Sequence, residues 1–450
     1  MKHIYFIGIG GIGMSAIARY YNAKGYKVSG YDKTPSPLTH ALESEGIDVH
    51  YTDDISYIPA DVENTLVVYT PAIPKDMGEL VHVQTHGYRV VKRSRMLGEI
   101  AQGQRCMAVA GTHGKTTTST LVSHLFTASG AGCSAFLGGI SKNYDSNLLI
   151  HANDVVVAEA DEFDRSFHWL TPYATIITAT DADHLDIYGT EEAYLESFSH
   201  YTSLIQPGGY LVMRHGINLQ PRLQEGVKLY TYSTDEGDFH AENIRIGGGE
   251  IVFDYVSPLG NIQDVQLGVP VAINIENGIA AMALAQISGG TNEEIKAGMA
   301  SFHVIERRFD FKLKTDRVVY LSDYAHHPEE IRQSILSMRA LYADKKLTAV
   351  FQPHLYTRTR DFHQEFADAL SLLDEVILTD IYPARELPIE GVSSRLIYDR
   401  LRPDMEKTLC KKEEVLDLLK DKSIEVLITL GAGDIEDYAP RICEILDGRC

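Results

Sequence analysis

The sequence predicts an α/β fold of three successive units, and three observations carry that expectation. A strand over residues 3–9 runs into Gly8-Ile9-Gly10-Gly11-Ile12-Gly13 and then a helix. An apolar run, Met107 to Ala110, leads through Gly111-Thr112-His113-Gly114 into a helix that begins near Lys115. Beyond residue 313 come four further short apolar runs, three of which end in a polar cluster that is either a site edge, as where strands of an open sheet meet a ligand, or ordinary turn chemistry. With 450 residues, 44% of them hydrophobic, the chain is too long for one ordinary core and has ample material for two or three.

The first unit, residues 1–103, reads as a Rossmann-like domain. After the glycines come a helix from Met14 to Gly25 and a strand from Lys27 to Tyr31 that ends at Asp32. This is the β-turn-α-β setting in which Gly8, Gly10, Gly11 and Gly13 let the backbone approach a diphosphate and a carboxylate such as Asp32 holds a ribose hydroxyl. The pattern names a diphosphate without choosing among nicotinamide, flavin and nucleotide sugar, and a glycine turn kept only for packing gives the same letters. Leu66 to Tyr69 reads as another strand, and an amphipathic helix from Met96 to Gln102 reads as a linker.

The second unit, 104–312, is a doubly wound P-loop type domain with strands at 107–110, 154–158, 174–178 and 210–213. Gly111, Thr112, His113, Gly114, Lys115, Thr116 and Thr117 form a short phosphate loop: N–H groups of the helix start face an anion, Lys115 supplies a mobile charge and the Thr116 hydroxyl suits Mg²⁺. Val109 stands where the common P-loop has glycine. The strand over 154–158 delivers Glu159 as a metal-reaching carboxylate or as part of an acidic surface loop. His184, in Asp181-Ala182-Asp183-His184, is either a metal ligand or a hydrogen-bonded loop histidine. Residues 228–268 look like an antiparallel strand insertion, and Asn274 and Asn277 open an alanine-rich helix where they suit a purine edge or a helix cap.

The third unit, 313–450, is a Rossmann-like α/β domain with strands at 318–321, 347–351, 375–378 and 426–430. Its strand ends carry Asp323-Tyr324-Ala325-His326-His327-Pro328, then Gln352-Pro353-His354 through Arg360, then Gly431-Ala432-Gly433-Asp434. A net charge of −21 with no basic run argues against a nucleic-acid partner. Five cysteines without C-x-x-C spacing fit reduced thiols, and no apolar run spans a bilayer, so a cytoplasmic protein without a membrane partner is expected.

Taken together, Gly8 to Ser15, Gly111 to Thr117, Glu159 to Glu162, Asp181 to His184, Asn274 with Asn277, Arg307-Arg308-Phe309-Asp310 and Asp323 to Pro328 resemble the Mur ligases, ATP-dependent amide-forming enzymes of peptidoglycan precursor synthesis. This resemblance spans nearly the whole chain and accounts for Val109, because that family uses the short loop. It implies a first domain that holds UDP-N-acetylmuramate, a central domain that holds ATP and Mg²⁺ (with Mn²⁺ as a substitute) and a third that closes over the nucleotide and seats L-alanine. By position, it implies Thr116, Glu159 and His184 around the metal, Asn274 and Asn277 at the adenine, Arg308 at a phosphate and Asp323 at the ribose. Tyr324, His326, His354 and Arg358 would face the amino acid, and Lys115, Glu159, His184 and His326 would serve catalysis. Leu355 stands where the family usually has arginine, Ala179 where it has asparagine and Arg95 where it has an acidic residue. The expected assembly is a monomer or homodimer. A tripeptide-recycling ligase of the same family, an NAD-dependent oxidoreductase and a nucleotide sensor without catalysis are the alternatives.

Overall fold

A computed structural model describes residues 2–181, 185–303, 309–384 and 386–448. His184 and Arg308, both expected in the nucleotide site, lie outside the described residues. The chain divides into two compact units, one of residues 1–242, 254–265 and 275–302, the other of residues 243–253, 266–274 and 303–450.

In the first unit, five parallel strands lie in the order Asp48–His50, Lys27–Tyr31, His3–Ile7, Thr65–Tyr69, Arg89–Lys92. Strand order reverses on either side of His3–Ile7, which makes the crevice beyond Ile7 the natural ligand edge. Alternate residues of this strand serve opposite faces: Ile4 and Phe6 pack with one core cluster, Tyr5 and Ile7 with another. The helix Ile12–Ala23 buries Met14 and Ile17 and stops at Gly25, whose φ of +82° favours glycine.

Seven strands form the next sheet: Lys228–Tyr232, Tyr210–Arg214, Ala174–Ile177, Arg105–Ala110, Val155–Ala160, Ser134–Ser141, Ser146–Leu149. Its pairs are parallel except for the last, which is antiparallel. Arg105–Ala110 sits centrally and is fully apolar and buried after its first residue, as a parallel strand covered on both faces must be. The apolar cores of these two sheets are continuous, Ile4, Phe6 and Met14 belonging to one cluster with Cys106, Ala108 and Val156. The helix read as a linker runs Arg93–Ala101 and buries Met96, Leu97 and Ile100 in that cluster. It is therefore a structural element of a shared core.

One expectation is corrected here. Lys228–Tyr232 is not part of an inserted sheet; it pairs in parallel with Tyr210–Arg214 as the edge of the main sheet. Cover over this edge strand is uneven along its length, from exposed Lys228 and Leu229 to buried Tyr232, so its apolar residues do not form the continuous buried run of a central parallel strand. The insertion is the smaller three-stranded sheet His240–Gly247, Glu250–Val256, Ile262–Gln266.

In the second unit, six strands lie in the order Asp310–Lys314, Val319–Asp323, Val426–Leu430, Leu347–Phe351, Glu375–Leu378, Glu406–Leu409, the first antiparallel to its neighbour and the rest parallel. The helix Pro328–Leu341 starts with Pro at its first turn and Glu329 and Glu330 beside its positive end.

Candidate nucleotide sites and catalytic residues

The phosphate loop is shaped by two glycines in left-handed conformations, Gly111 (φ +133°) and Gly114 (φ +78°). A Cβ on Gly111 would lie 2.1 Å from Thr178 Oγ1, and one on Gly114 2.8 Å from Asn277 Oδ1. The loop is thus pressed against the neighbouring strand end and the helix Ile273–Ile287. Thr112 Oγ1 donates to the Asp181 carbonyl (2.8 Å) and lies 2.9 Å from the Tyr194 hydroxyl; Thr178 donates to the His113 carbonyl. Among the described residues no side chain caps the start of helix Lys115–Ala128, whose N–H groups suit an anion. Lys115 Nζ donates to Gly111 O (2.6 Å) and pairs with Glu162 at 2.8 Å. His113 and Thr117 complete the loop, His113 exposed.

Glu159 is the last residue but one of the strand Val155–Ala160 and lies beside this helix start. Its carboxylate accepts the Gly138 N–H at 2.8 Å, the Thr116 hydroxyl at 3.2 Å and the Ser119 hydroxyl at 3.3 Å. Burial holds its pKa above the usual carboxylate range, and Gly138 and Thr116 oppose that shift. A half-buried carboxylate beside a hydroxyl is a hard-oxygen pair that suits Mg²⁺, which takes few protein ligands and shares the rest with phosphate and water. Among the described residues, no group of three or more His, Cys, Asp or Glu forms a metal cluster. Phosphates would complete the set.

In the first glycine loop, Gly8 has φ +88°. Gly10 N–H donates to Asp32 Oδ2 (2.7 Å) and Thr34 N–H to Oδ1 (3.3 Å), so Asp32 holds the loop's backbone. Gly13 is pressed from another side: its Cβ would sit 2.9 Å from Arg93 Nη1. Arg93 puts a cation over this loop and pairs with Asp161 at 3.0 Å. A cleft of about 290 Å³ lies there, lined by Thr70, Arg93, Ser94 and Asp161 among others. Arg93, Asp161 and Glu162 were missed as individual site residues by sequence reasoning, although the motif Glu159-Ala160-Asp161-Glu162 flagged the segment.

The second unit gathers the other candidates. The Asp323 carboxylate accepts the Ser334 hydroxyl and the N–H groups of Phe309 and Ala325 (both 3.3 Å), and burial pushes its pKa up. His326 Nδ1 lies 3.0 Å from the Tyr324 carbonyl, which fixes the proton on Nδ1 and leaves Nε2 as the basic nitrogen. His354 lies 6.0 Å from His326 between ring centres and stacks on Tyr382, with Arg358 Nη1 3.4 Å from its Nδ1. Burial, Arg358 and His326 together hold His354 below the usual histidine pKa. Leu355 adopts φ +72° and ψ +137°, unusual for a side-chain-bearing residue, at the start of helix Tyr356–Leu370. Asn274 is buried and reaches toward the Val269 carbonyl, whereas Asn277 accepts the Thr118 hydroxyl at 3.1 Å. Within their own units, the phosphate-loop residues and Glu159 come together, and so do Tyr324, His326, His354 and Arg358.

A phosphate loop backed by a strand-end carboxylate, a separate glycine loop at its own sheet edge and a further α/β sheet define a nucleotide-using α/β enzyme of several parts. The chain belongs to the Mur ligase family, a family of ATP-dependent acid–amino-acid ligases. Residues 3–105 match its "Mur ligase family, catalytic domain", 109–285 its "Mur ligase middle domain" and 307–433 its "Mur ligase, glutamate ligase domain". The chain is 67% identical over 451 aligned residues to the UDP-N-acetylmuramate–L-alanine ligase of Phocaeicola vulgatus, with 99% of this chain and 98% of that protein covered. To the protein of the same name from Parabacteroides distasonis it is 59% identical, covering 98% and 97%. Its fold matches the crystal structure of UDP-N-acetylmuramate-alanine ligase from Thermotoga maritima with a TM-score of 0.83 at 26% identity, over 100% of both chains. Among the described residues no helix is long and apolar enough to cross a membrane.

Proposed function

We propose that this protein joins L-alanine to the lactyl carboxylate of UDP-N-acetylmuramate in the cytoplasm, at the expense of ATP, in peptidoglycan precursor synthesis. The observation that carries this reading is the convergence of Thr116, Ser119 and Gly138 on half-buried Glu159 beside Lys115, on a chain whose close relatives bear that activity in their names. Residues 1–103 take the sugar nucleotide through the Gly8–Gly13 loop and Arg93, and residues 104–312 take ATP through the 111–117 loop. Residues 313–450 take the amino acid through Tyr324, His326, His354 and Arg358. Asn274, Asn277, Asp323 and Arg308 are assigned to the nucleotide.

A carboxylate is a poor acylating group, so it must first be activated. The lactyl oxygen attacks the γ-phosphorus of ATP, the bond to the β-phosphate oxygen breaks, and an acyl phosphate and ADP result. Lys115 leaves Glu162 to neutralise the charge gathering on the transferred phosphoryl group, and the helix N–H groups orient it. Thr116 and Glu159 would hold Mg²⁺, which supplies further charge neutralisation there. The neutral alanine amine then attacks the acyl carbon, and the tetrahedral adduct expels phosphate. His326 Nε2, free of the Tyr324 contact, is assigned to receive the amine's proton.

The test is phosphate release from ATP and Mg²⁺ with UDP-N-acetylmuramate present, comparing L-alanine, glycine, L-serine and the tripeptide, with Lys115→Ala as the blank. Release that needs both the sugar and L-alanine and vanishes in the variant supports the reading. Release only with the tripeptide transfers the assignment to the recycling activity, and release with none of them removes it.

A further inference from the structure

Two cations of the first unit, each placed over a glycine loop, are held by carboxylates that are neighbours in sequence. Arg93 over Gly13 pairs with Asp161 at 3.0 Å, and Lys115 of the phosphate loop pairs with Glu162 at 2.8 Å. We propose that Asp161 and Glu162 are positioning residues that couple the sugar-nucleotide and ATP sites, each standing in for a phosphate until its ligand arrives. The proposal rests on the functional reading above.

The segment that bears them is held from several sides. Asp161 accepts the Phe163 N–H through Oδ1 (3.1 Å) and the Phe167 N–H through its carbonyl (2.8 Å). The Glu162 carbonyl accepts the Arg165 N–H (3.0 Å) and the Tyr188 hydroxyl. Asp164 (φ +47°) and Arg165 (φ +61°) are both in the left-handed region, a conformation that survives only where the surroundings impose it. Here they do: Lys92 pairs with Asp164 at 2.8 Å, and the Arg165 guanidinium lies 4.6 Å from the centre of the Tyr188 ring. Neither carboxylate can shift far without moving the other.

The two pairs differ in exposure. Arg93 and Asp161 are 25% and 36% exposed, so an incoming diphosphate exchanges with Asp161 at little cost. Glu162 is only 2% exposed, and when Lys115 turns to ATP it is left as a buried, uncompensated charge. ATP binding alone is opposed by that penalty. A sugar diphosphate that takes Arg93 from Asp161 removes one anchor of the segment and lets Glu162 relax toward water, so each nucleotide strengthens the binding of the other.

The experiment is titration of the full chain with the non-hydrolysable analogue AMP-PNP and Mg²⁺, without and with saturating UDP-N-acetylmuramate. Trp169, the only tryptophan and half exposed, ends the same segment and reports binding by fluorescence, with calorimetry as the independent readout. In the wild type the sugar nucleotide should tighten analogue binding by about fivefold or more, the usual scale of coupling between sites. Glu162→Gln should bind the analogue more tightly than wild type without the sugar nucleotide and show a ratio below about two. Asp161→Asn should bind the sugar nucleotide more tightly and lose the ratio as well; Glu162→Asp should retain it. A wild-type ratio near one, an unchanged ratio in Glu162→Gln or Asp161→Asn, or weaker analogue binding in Glu162→Gln overturns the proposal. A wild type that binds neither nucleotide overturns the functional reading itself.

Discussion

Replacing Gly138 by alanine tests whether the placement of Glu159 governs turnover. Gly138 lies in the strand Ser134–Ser141 with an ordinary negative φ, so alanine brings no backbone strain. Its Cβ, however, would fall 2.4 Å from Glu159 Oε1 and 2.8 Å from Oε2. A carbon and an oxygen rest at about 3.3 Å or more, so the carboxylate must retreat by roughly 1 Å. That breaks its bond to the Gly138 N–H and draws it from Thr116 and Ser119. Stability should fall by about 1–2 kcal/mol, from a lost charge-assisted hydrogen bond of about 1.5–3 kcal/mol less the gain of alanine over glycine in a strand. Turnover should fall about a hundredfold, the usual consequence of a 1 Å misplacement at a reacting site. Phosphate release measures the second effect and a thermal melt the first. A kcat within about threefold of wild type in a folded Gly138→Ala protein would refute the argument that Glu159 must sit where it does.

Lys115→Ala should abolish phosphate release and also destabilise the protein by about 3–5 kcal/mol by leaving Glu162 buried without a cation. Adding Glu162→Gln should restore most of the melting temperature and none of the activity, and a double variant no more stable than the single one would contradict this. Asn147 is fully buried and bonds Ile12 O (2.6 Å), Ser15 Oγ (2.8 Å) and Arg19 Nη1 (2.6 Å), so Asn147→Ala should cost about 2–4 kcal/mol in urea unfolding, with a change below about 1 kcal/mol contradicting it. Asp323 carries the opposite sign to a salt-bridged carboxylate. Burial raises its pKa in the folded state, so the fold holds its proton more tightly than the unfolded chain, and stability falls as pH rises through that raised value. Asp323→Asn should therefore gain in melting temperature over wild type as pH rises from the carboxylate range toward neutrality, and a gap that closes instead would show that the Ser334, Phe309 and Ala325 bonds outweigh burial.

The parts legible in the sequence are those fixed by neighbours along the chain. Gly111 and Gly114 had to be glycines because their backbones are left-handed, and apolar runs such as Met107–Ala110 declare parallel strands covered on both faces. What stayed hidden depends on which distant segments pack together. Sheet order set Lys228–Tyr232 beside Tyr210–Arg214, as an edge strand of the main sheet and not as part of an insertion. Folding also turned Asp32 inward to the Gly10 N–H, a role that its place after a strand does not announce. Arg93 and Asp161 are 68 residues apart, and Lys115 and Glu162 are 47 apart. No local periodicity or turn chemistry marks such partners, because an ion pair across a sheet edge is decided by strand order and burial. The sequence determined the glycine loops, the phosphate-loop lysine and the strand-end carboxylate; only the tertiary structure decided which cation each carboxylate restrains.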